Sequence, residues 1–273
     1  MQIAKTINEL KELRAGLKGT VGFVPTMGAL HSGHLSLIRR SKEECESSVV
    51  SIFVNPTQFL EGEDFEAYPK KQSADLDICR RAGVNLVFIP RSDELYFDDD
   101  IRVVAPKCSG YLLEGAKRPG HFDGVLSVVL KLLNLVTPQK AYFGQKDAQQ
   151  LLLIEKMVRE LFLDVEIVGC PTVREDSGLA LSSRNEYLSS EDKKEALKLS
   201  FALKKGAKLL MDKETSAIKI KQSIISALEG VDIEYVEIVD RELKRIDVVK
   251  KGESILLGAI KVNGVRLIDN IWV

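Results

Sequence analysis

Apolar positions Ile3, Ile7, Leu10 and Leu13 recur at helical spacing, so the chain is expected to open on an amphipathic helix ending at Gly16 or Gly19. The texture then shortens. TVGFVP reads as a buried strand stopped at Pro25, and TMGALHSGH as a glycine-bearing loop. From Leu35, Leu37 and Ile38 a helix runs to about Glu46. SSVVSIFVNP is a second buried strand, DFEAYPKKQSADLDICRRAG a loop and then a helix, and VNLVFIP a third strand. Short apolar strands alternating with amphipathic helices predict an α/β fold, a Rossmann-like parallel sheet with helices on both faces. In such sheets ligands bind at the carboxyl ends of the strands. The polar stretches MGALHSGH, NPTQF and RSDELY each follow a strand end, which predicts one shared site.

The middle of the chain is less regular. VVAPKCSGYLLEGAKRPGHFDG is rich in glycine and proline and reads as loop or short elements. VLSVVLKLLNLV is an apolar helix, KAYFGQKD a short strand with a polar loop, AQQLLLIEKMVRELFL an amphipathic helix and VEIVGCP a further strand. Beyond about Asp176 come two charged amphipathic helices and then the strands VDIEYVEIVD, ESILLGAIKV and VRLIDNIWV. That order predicts a smaller α+β domain. The expected organisation is therefore residues 1–175 as the Rossmann-like domain and 176–273 as the second.

Composition adds exclusions. A formal net charge of −1 supplies no basic field for nucleic acid. Cys45, Cys79, Cys108 and Cys170 are widely spaced with no CxxC, as expected of reduced thiols in a cytoplasmic protein. No run reaches the roughly 20 apolar residues needed to span a bilayer, and the N-terminal segment lacks the features of a signal peptide.

The chemistry gathers in the polar loops. His31 and His34 stand at the mouth of a helix just after a buried strand, where backbone N–H groups and the helix dipole favour an anion such as phosphate. Gly28 and Gly33 permit a tight turn and close approach to a ligand. His-x-x-His also admits a zinc reading, but the Glu of HExxH is missing and His121 is the only other histidine. Asn55 and Gln58 suit the hydroxyls and carboxylate of a small substrate; the same stretch reads equally well as an Asx turn with a solvent-facing Gln58. Arg118 and His121 sit in a glycine-rich loop, where Arg118 is either an anion ligand or a solvated surface side chain. Lys146 and Asp147 follow a strand and could serve phosphate and magnesium. In LSSRN, Ser182, Ser183 and Arg184 could wrap a polyphosphate or form an ordinary cap. There is no GxxxxGK[ST], GxGxxG or GxSxG.

Taken in order, PTMGALHSGH, FVNPTQF, RPGHFDGV, FGQKDAQQ and LSSRN resemble the pantoate–β-alanine ligases, within the wider HIGH-motif nucleotidyltransferases. The resemblance runs through IEYVEIVD and RLIDNIWV and so covers the whole chain. It implies a Rossmann-like domain, a C-terminal lid domain and a homodimer. It also implies a reaction in which ATP and (R)-pantoate, with Mg²⁺, form pantoyl adenylate, which β-alanine converts to pantothenate and AMP. By match to the family motifs, ATP would bind along Met27, Gly28, Ala29, Leu30, His31, Ser32, Gly33 and His34. It would also meet Gly144, Gln145, Lys146 and Asp147, then Val173, Leu181, Ser182, Ser183 and Arg184. His34 would be the proton donor, with His31, Lys146 and Arg184 stabilising the phosphates. Gln58, Asn55 and Gln150 would hold pantoate and β-alanine, and Asp75 would bind magnesium. Two positions depart from the family's usual residues: Lys70 replaces an Arg, and Gln145 a Glu, which suggests that position 145 works through its backbone.

Overall fold

The computed structural model describes residues 1–63 and 65–273; Asp64, which opens the DFEAYPKK loop, lies outside them. Two compact units result. The first comprises Met1–Gln145 and Gln149–Pro171, the second Lys146–Ala148 and Thr172–Val273. One boundary between the units lies at Pro171/Thr172, and Lys146–Ala148, the end of the polar loop after KAYFG and the first residue of the next helix, group with the second unit.

In the first unit, β1 (Gln2–Ala4), α1 (Ile7–Ala15), β2 (Val21–Thr26), α2 (Ser32–Glu44), β3 (Ser47–Ile52), α3 (Gln72–Arg81) and β4 (Leu86–Phe88) follow in chain order. Three single-turn helices come next: α4 (Ser92–Leu95), α5 (Lys107–Gly110) and α6 (Glu114–Lys117). Then come α7 (His121–Val136), β5 (Lys140–Gly144), α8 (Ala148–Glu160) and β6 (Glu166–Cys170). All six strands pair in parallel, in the order β1-β4-β3-β2-β5-β6. The expected α/β class is what forms.

The start of the chain differs from the helix expected there. Ile3 lies in an edge strand, and α1 begins only after Thr6, whose hydroxyl accepts the Glu9 N–H while the Glu9 carboxylate takes the Thr6 N–H. This reciprocal cap fixes where the helix starts, and Ile3 shared the helical phase of Ile7 by coincidence. Helix α7 likewise begins at His121, four residues before the apolar run.

One row of side chains runs across the sheet, Val87–Val50–Val24–Tyr142–Val168, and all of them join α2 and α3 in one apolar cluster. Helix α2 lies close on β2 because position 22 is glycine. A Cβ there would come within 2.3 Å of Ser41 Oγ and 3.1 Å of the Tyr142 ring. The chain order reverses between β2 and β5, and their register brings the end of β2 level with the end of β5. This is the switch point at which open α/β sheets bind ligands.

The second unit holds α9 (Ser190–Met211), α10 (Ala217–Ala227) and the antiparallel strands β7 (Asp232–Asp240), β8 (Ser254–Val262) and β9 (Val265–Trp272). Asn263 and Gly264, at φ 47° and 79°, make the two-residue hairpin between β8 and β9. Leu199, Leu203, Ile220, Ile224, Leu256 and Ile260 fill its own core. Among the described residues no helix is long and apolar enough to cross a membrane.

Candidate active site

The HSGH stretch is less a loop than a helix start. His31 is the N-cap of α2, and its Nδ1 accepts the Gly33 N–H at 3.1 Å. His34, in the first turn, returns the favour: its Nδ1 accepts the His31 N–H at 3.3 Å. Histidines thus take both places of a capping box usually filled by Ser or Thr and Glu. Gly33 makes room, since a Cβ there would lie 2.8 Å from the His31 ring. A ring nitrogen that accepts an N–H carries no proton, so in each neutral imidazole the proton sits on Nε2. The two rings lie 4.1 Å apart and are tilted by 41°. Cap and tautomer are therefore one arrangement, and it leaves each ring's proton on Nε2.

The backbone N–H groups of this loop are differently employed from what the sequence suggests. Gly28 and Ala29 take left-handed φ values of 86° and 49°, which aims the next two N–H groups at one point. That point is occupied by Asp75, 2% exposed. Its Oδ2 accepts from Ala29 at 3.0 Å and its Oδ1 from Leu30 at 2.7 Å. The expected anion at these amides is supplied by the protein itself. Asp75, the magnesium ligand implied by resemblance, is sealed under the loop with both oxygens engaged, a poor fit to an ion that keeps much of its water.

After β3, Asn55 does form the Asx turn, with its Oδ1 accepting from the Thr57 N–H and hydroxyl. Gln58, however, is buried rather than solvent-facing. Its Oε1 accepts from Asn55 Nδ2 at 3.1 Å, and its Nε2 reaches the Met27 sulfur at 3.0 Å. Asn55 is 1% exposed, and its other bonds go to Gly124 O and the Tyr96 hydroxyl. Its polar atoms are thus engaged by protein groups, where the sequence placed it lining a pocket.

Arg118 and His121 hold the same turn from outside it. Arg118 is not a solvated surface side chain: it meets Glu63 through two bonds of 2.6 Å. Burial raises the Glu63 carboxyl, but Arg118 and the Leu60 N–H outweigh it and the net effect is downward. A third Arg118 nitrogen lies 3.0 Å from His121 Nε2. Arginine only donates, so Nε2 accepts and Nδ1–H donates to the Gln58 carbonyl at 2.7 Å. Burial, then the Arg118 charge, pushes His121 down to about 4, which keeps it neutral.

Beyond β5, Gly144 faces open space, but the Gln145 N–H is bonded to Cys170 O at 2.8 Å. That donor extends the sheet and is already used. Gln149, beside the expected Gln150, is buried and clamps Ser109, Leu112 and Glu114 through three bonds. Gln150 is half-buried next to it.

In the second unit, the Lys146 carbonyl accepts from Asn270 Nδ2 at 2.7 Å, and its ammonium lies 4.0 Å from Asp147. Val173 O accepts from the Leu181 N–H, closing a small loop. Arg174 grips Asp269 in a two-pronged pair beneath that loop. Ser182 caps the turn Ser183–Tyr187 by accepting from the Arg184 N–H, and buried Asn185 ties it to Ala180 O. Ser182 is thus the cap that one reading of LSSRN expected, while Ser183 and Arg184 sit half-buried on the turn.

A family model described as pantoate–β-alanine ligase matches residues 2–272. The chain belongs to the pantoate–β-alanine ligase family. It is 58% identical to a pantothenate synthetase of Wolinella succinogenes over the full length of both chains, and 46% identical to that of Helicobacter pylori. The crystal structure of the Thermus thermophilus pantothenate synthetase superposes with a TM-score of 0.93 at 43% identity, covering 100% of this chain and 99% of that one. A Francisella tularensis pantoate–β-alanine ligase, crystallised with a β,γ-ATP ligand and β-alanine, matches at a TM-score of 0.82 and 37% identity, covering 100% and 97%.

Within this ligase family chain, sequence reasoning missed the residues that act behind the motifs. Tyr96, Thr57 and Gly124 all engage Asn55, and Glu63 fixes Arg118. Tyr96 lies in RSDELY, one of the three strand-end stretches, which was the available signal. Among the described residues no three His, Cys, Asp or Glu side chains converge as for a metal ion.

Proposed function

We propose that this chain condenses (R)-pantoate with β-alanine at the expense of ATP, giving pantothenate, AMP and pyrophosphate. The observation that carries the reading is the pair of Nε2–H donors at the start of α2, in a chain matched over its whole length by one ligase family. In the first step a pantoate carboxylate oxygen attacks the α-phosphorus and the bond to the β-phosphate breaks, releasing pyrophosphate. In the second, the free amine of β-alanine attacks the acyl carbon, the acyl–oxygen bond to AMP breaks, and the amine loses a proton.

The chain's own residues would do this by alignment and charge rather than by a covalent nucleophile. His34 and His31 would donate Nε2–H to phosphate oxygens, with His34 giving the proton. Lys146 and Arg184, from the second unit, would add positive charge as that unit acts as a lid. Gln58 and Gln150 would hold pantoate and then β-alanine. Magnesium would arrive with the ATP phosphates, whose charge it offsets. Asp147, half exposed, is a carboxylate better able than Asp75 to meet it. A homodimer in the cytoplasm completes the reading, the assembly to be checked by light scattering.

The test is product analysis. Pyrophosphate should form with pantoate alone, and AMP and pantothenate only when β-alanine is also added. Formation of ADP, or indifference to pantoate, overturns the reading. Pyrophosphate release onto a phosphorylated acceptor, with no role for an amine, would indicate a nucleotidyltransferase instead.

A further inference from the structure

We propose that Tyr96 is a positioning residue for the substrate pocket: through Asn55 it fixes which end of the Gln58 amide faces the ligand. The inference rests on the reading that Gln58 meets pantoate and β-alanine.

A primary amide has nearly the same shape either way round, so only its partners decide its direction. For Asn55 the partners are unequal. Its Nδ2 faces two acceptors, Gly124 O at 3.2 Å and Gln58 Oε1 at 3.1 Å. Its Oδ1 faces three donors, and the closest by far is the Tyr96 hydroxyl at 2.6 Å; the Thr57 hydroxyl stands at 3.0 Å and the Thr57 N–H at 3.3 Å. Tyr96 is held in turn by Lys131, whose ammonium lies 4.5 Å from the ring centroid and bonds the Leu95 carbonyl at 2.6 Å. A cation over the ring draws electron density from it and strengthens the hydroxyl as a donor.

The consequence reaches Gln58. With Asn55 held, the Gln58 oxygen is committed to the Asn55 NH₂, and the Gln58 NH₂ is left for the Met27 side. At Gln58 the ligand is thereby offered N–H rather than oxygen. Such a subsite takes oxygen acceptors, a carboxylate or a hydroxyl, and rejects a group that brings its own N–H. If Asn55 turned, Gln58 would turn with it and offer an oxygen to the substrate's oxygen.

Steady-state kinetics of Tyr96→Phe test this. The variant loses one hydroxyl and keeps the ring under Lys131. Expected is a rise of about tenfold in the KM for pantoate, the loss of one hydrogen bond's influence, with the KM for ATP within about twofold of the parent. Asn55→Asp reverses the polarity directly and should raise the pantoate KM by about a hundredfold. Adding Tyr96→Phe to it should cost nothing more, because the same amide is already turned. Equal changes in the ATP and pantoate KM values, or full additivity of the two substitutions, overturn the proposal. Should Tyr96→Phe fail to fold, Asn55→Asp alone carries the test, and an unchanged pantoate KM there overturns it. Failure of the parent protein to make AMP from ATP, pantoate and β-alanine together would instead sink the underlying reading.

Discussion

Asp75 and Leu30, 45 positions apart, are joined by a 2.7 Å bond from the Leu30 N–H to a carboxylate that is 2% exposed. With the matching bond from Ala29, this makes the turn into α2 a structure built around an internal anion. Asp75→Asn keeps the shape but sets an NH₂ against one of the two N–H groups. A buried N–H left without an acceptor costs about 1–3 kcal/mol, so the melting temperature should fall and the KM for ATP should rise. Raising the magnesium concentration should restore neither. Recovery of activity by magnesium would instead make Asp75 a metal ligand.

The shared cap separates two jobs of His31. Serine is among the best N-cap residues, so His31→Ser should leave the unfolding free energy within about 0.5 kcal/mol of the parent. Turnover should nevertheless fall by about a hundredfold, because a phosphate donor is lost. His34→Ala should likewise lower kcat more than stability. Chemical denaturation and AMP formation measured on the same samples decide; a loss confined to stability would count against both catalytic roles.

His121 gives the fold a pH dependence of known sign. Its native value of about 4 lies below the ordinary histidine value. The unfolded chain therefore takes up a proton near pH 6.5 that the native state refuses. The contribution of His121 is fully present above about pH 6.5 and is lost as the pH falls toward 4. Between about pH 7.5 and pH 4.5 the loss should amount to roughly 2–3 kcal/mol. Urea titrations at the two values should show a smaller difference in His121→Gln. An unchanged difference would place the acid sensitivity elsewhere.

Gly124 sets two effects against each other. It lies in the first turn of α7, where alanine would be favoured over glycine by about 0.5–1 kcal/mol on helix propensity alone. A Cβ there would sit 2.3 Å from Thr57 O and 2.7 Å from the Gln58 nitrogen, both backbone atoms. Overpacking of that kind costs about 1–3 kcal/mol, so it should win. Gly124→Ala is expected to lower the melting temperature and weaken pantoate binding; a more stable variant with unaltered KM would refute the close approach.

Much of this was legible in the order of residues. Five of the six strands of the first unit were, because each is a short apolar run closed by proline, glycine or a polar loop; the edge strand Gln2–Ala4 was not. The motif positions were too, since they follow strand ends. What was hidden depends on partners distant in sequence. Thr6 and Glu9 signal a cap that displaces the first helix, but Ile3 matched the helical period and masked it. Asp75 carries no local mark of its 46-residue reach to Ala29. Asn55 and Gln58 looked alike as polar side chains, and only Tyr96 and Gly124 distinguish the brace from the residue it braces. Lys146 and Asp147 read as a polar loop on the strand before them, whereas the Asn270 bond to Lys146 ties it within the second unit.

The bare α-carbon at position 22 has a reach out of proportion to its size. Helix α2 rests on it at Ser41, ten residues from His31, a lever arm of about 15 Å. A tilt of about 5° at that fulcrum would swing the paired imidazoles by about 1 Å, an error of aim that can cost a hundredfold in rate. Gly22→Ala would therefore leave every polar side chain of the turn intact and still blunt the enzyme. A survey that ranks residues by distance from the reacting atoms would pass over it, and one that ranks them by turnover would not.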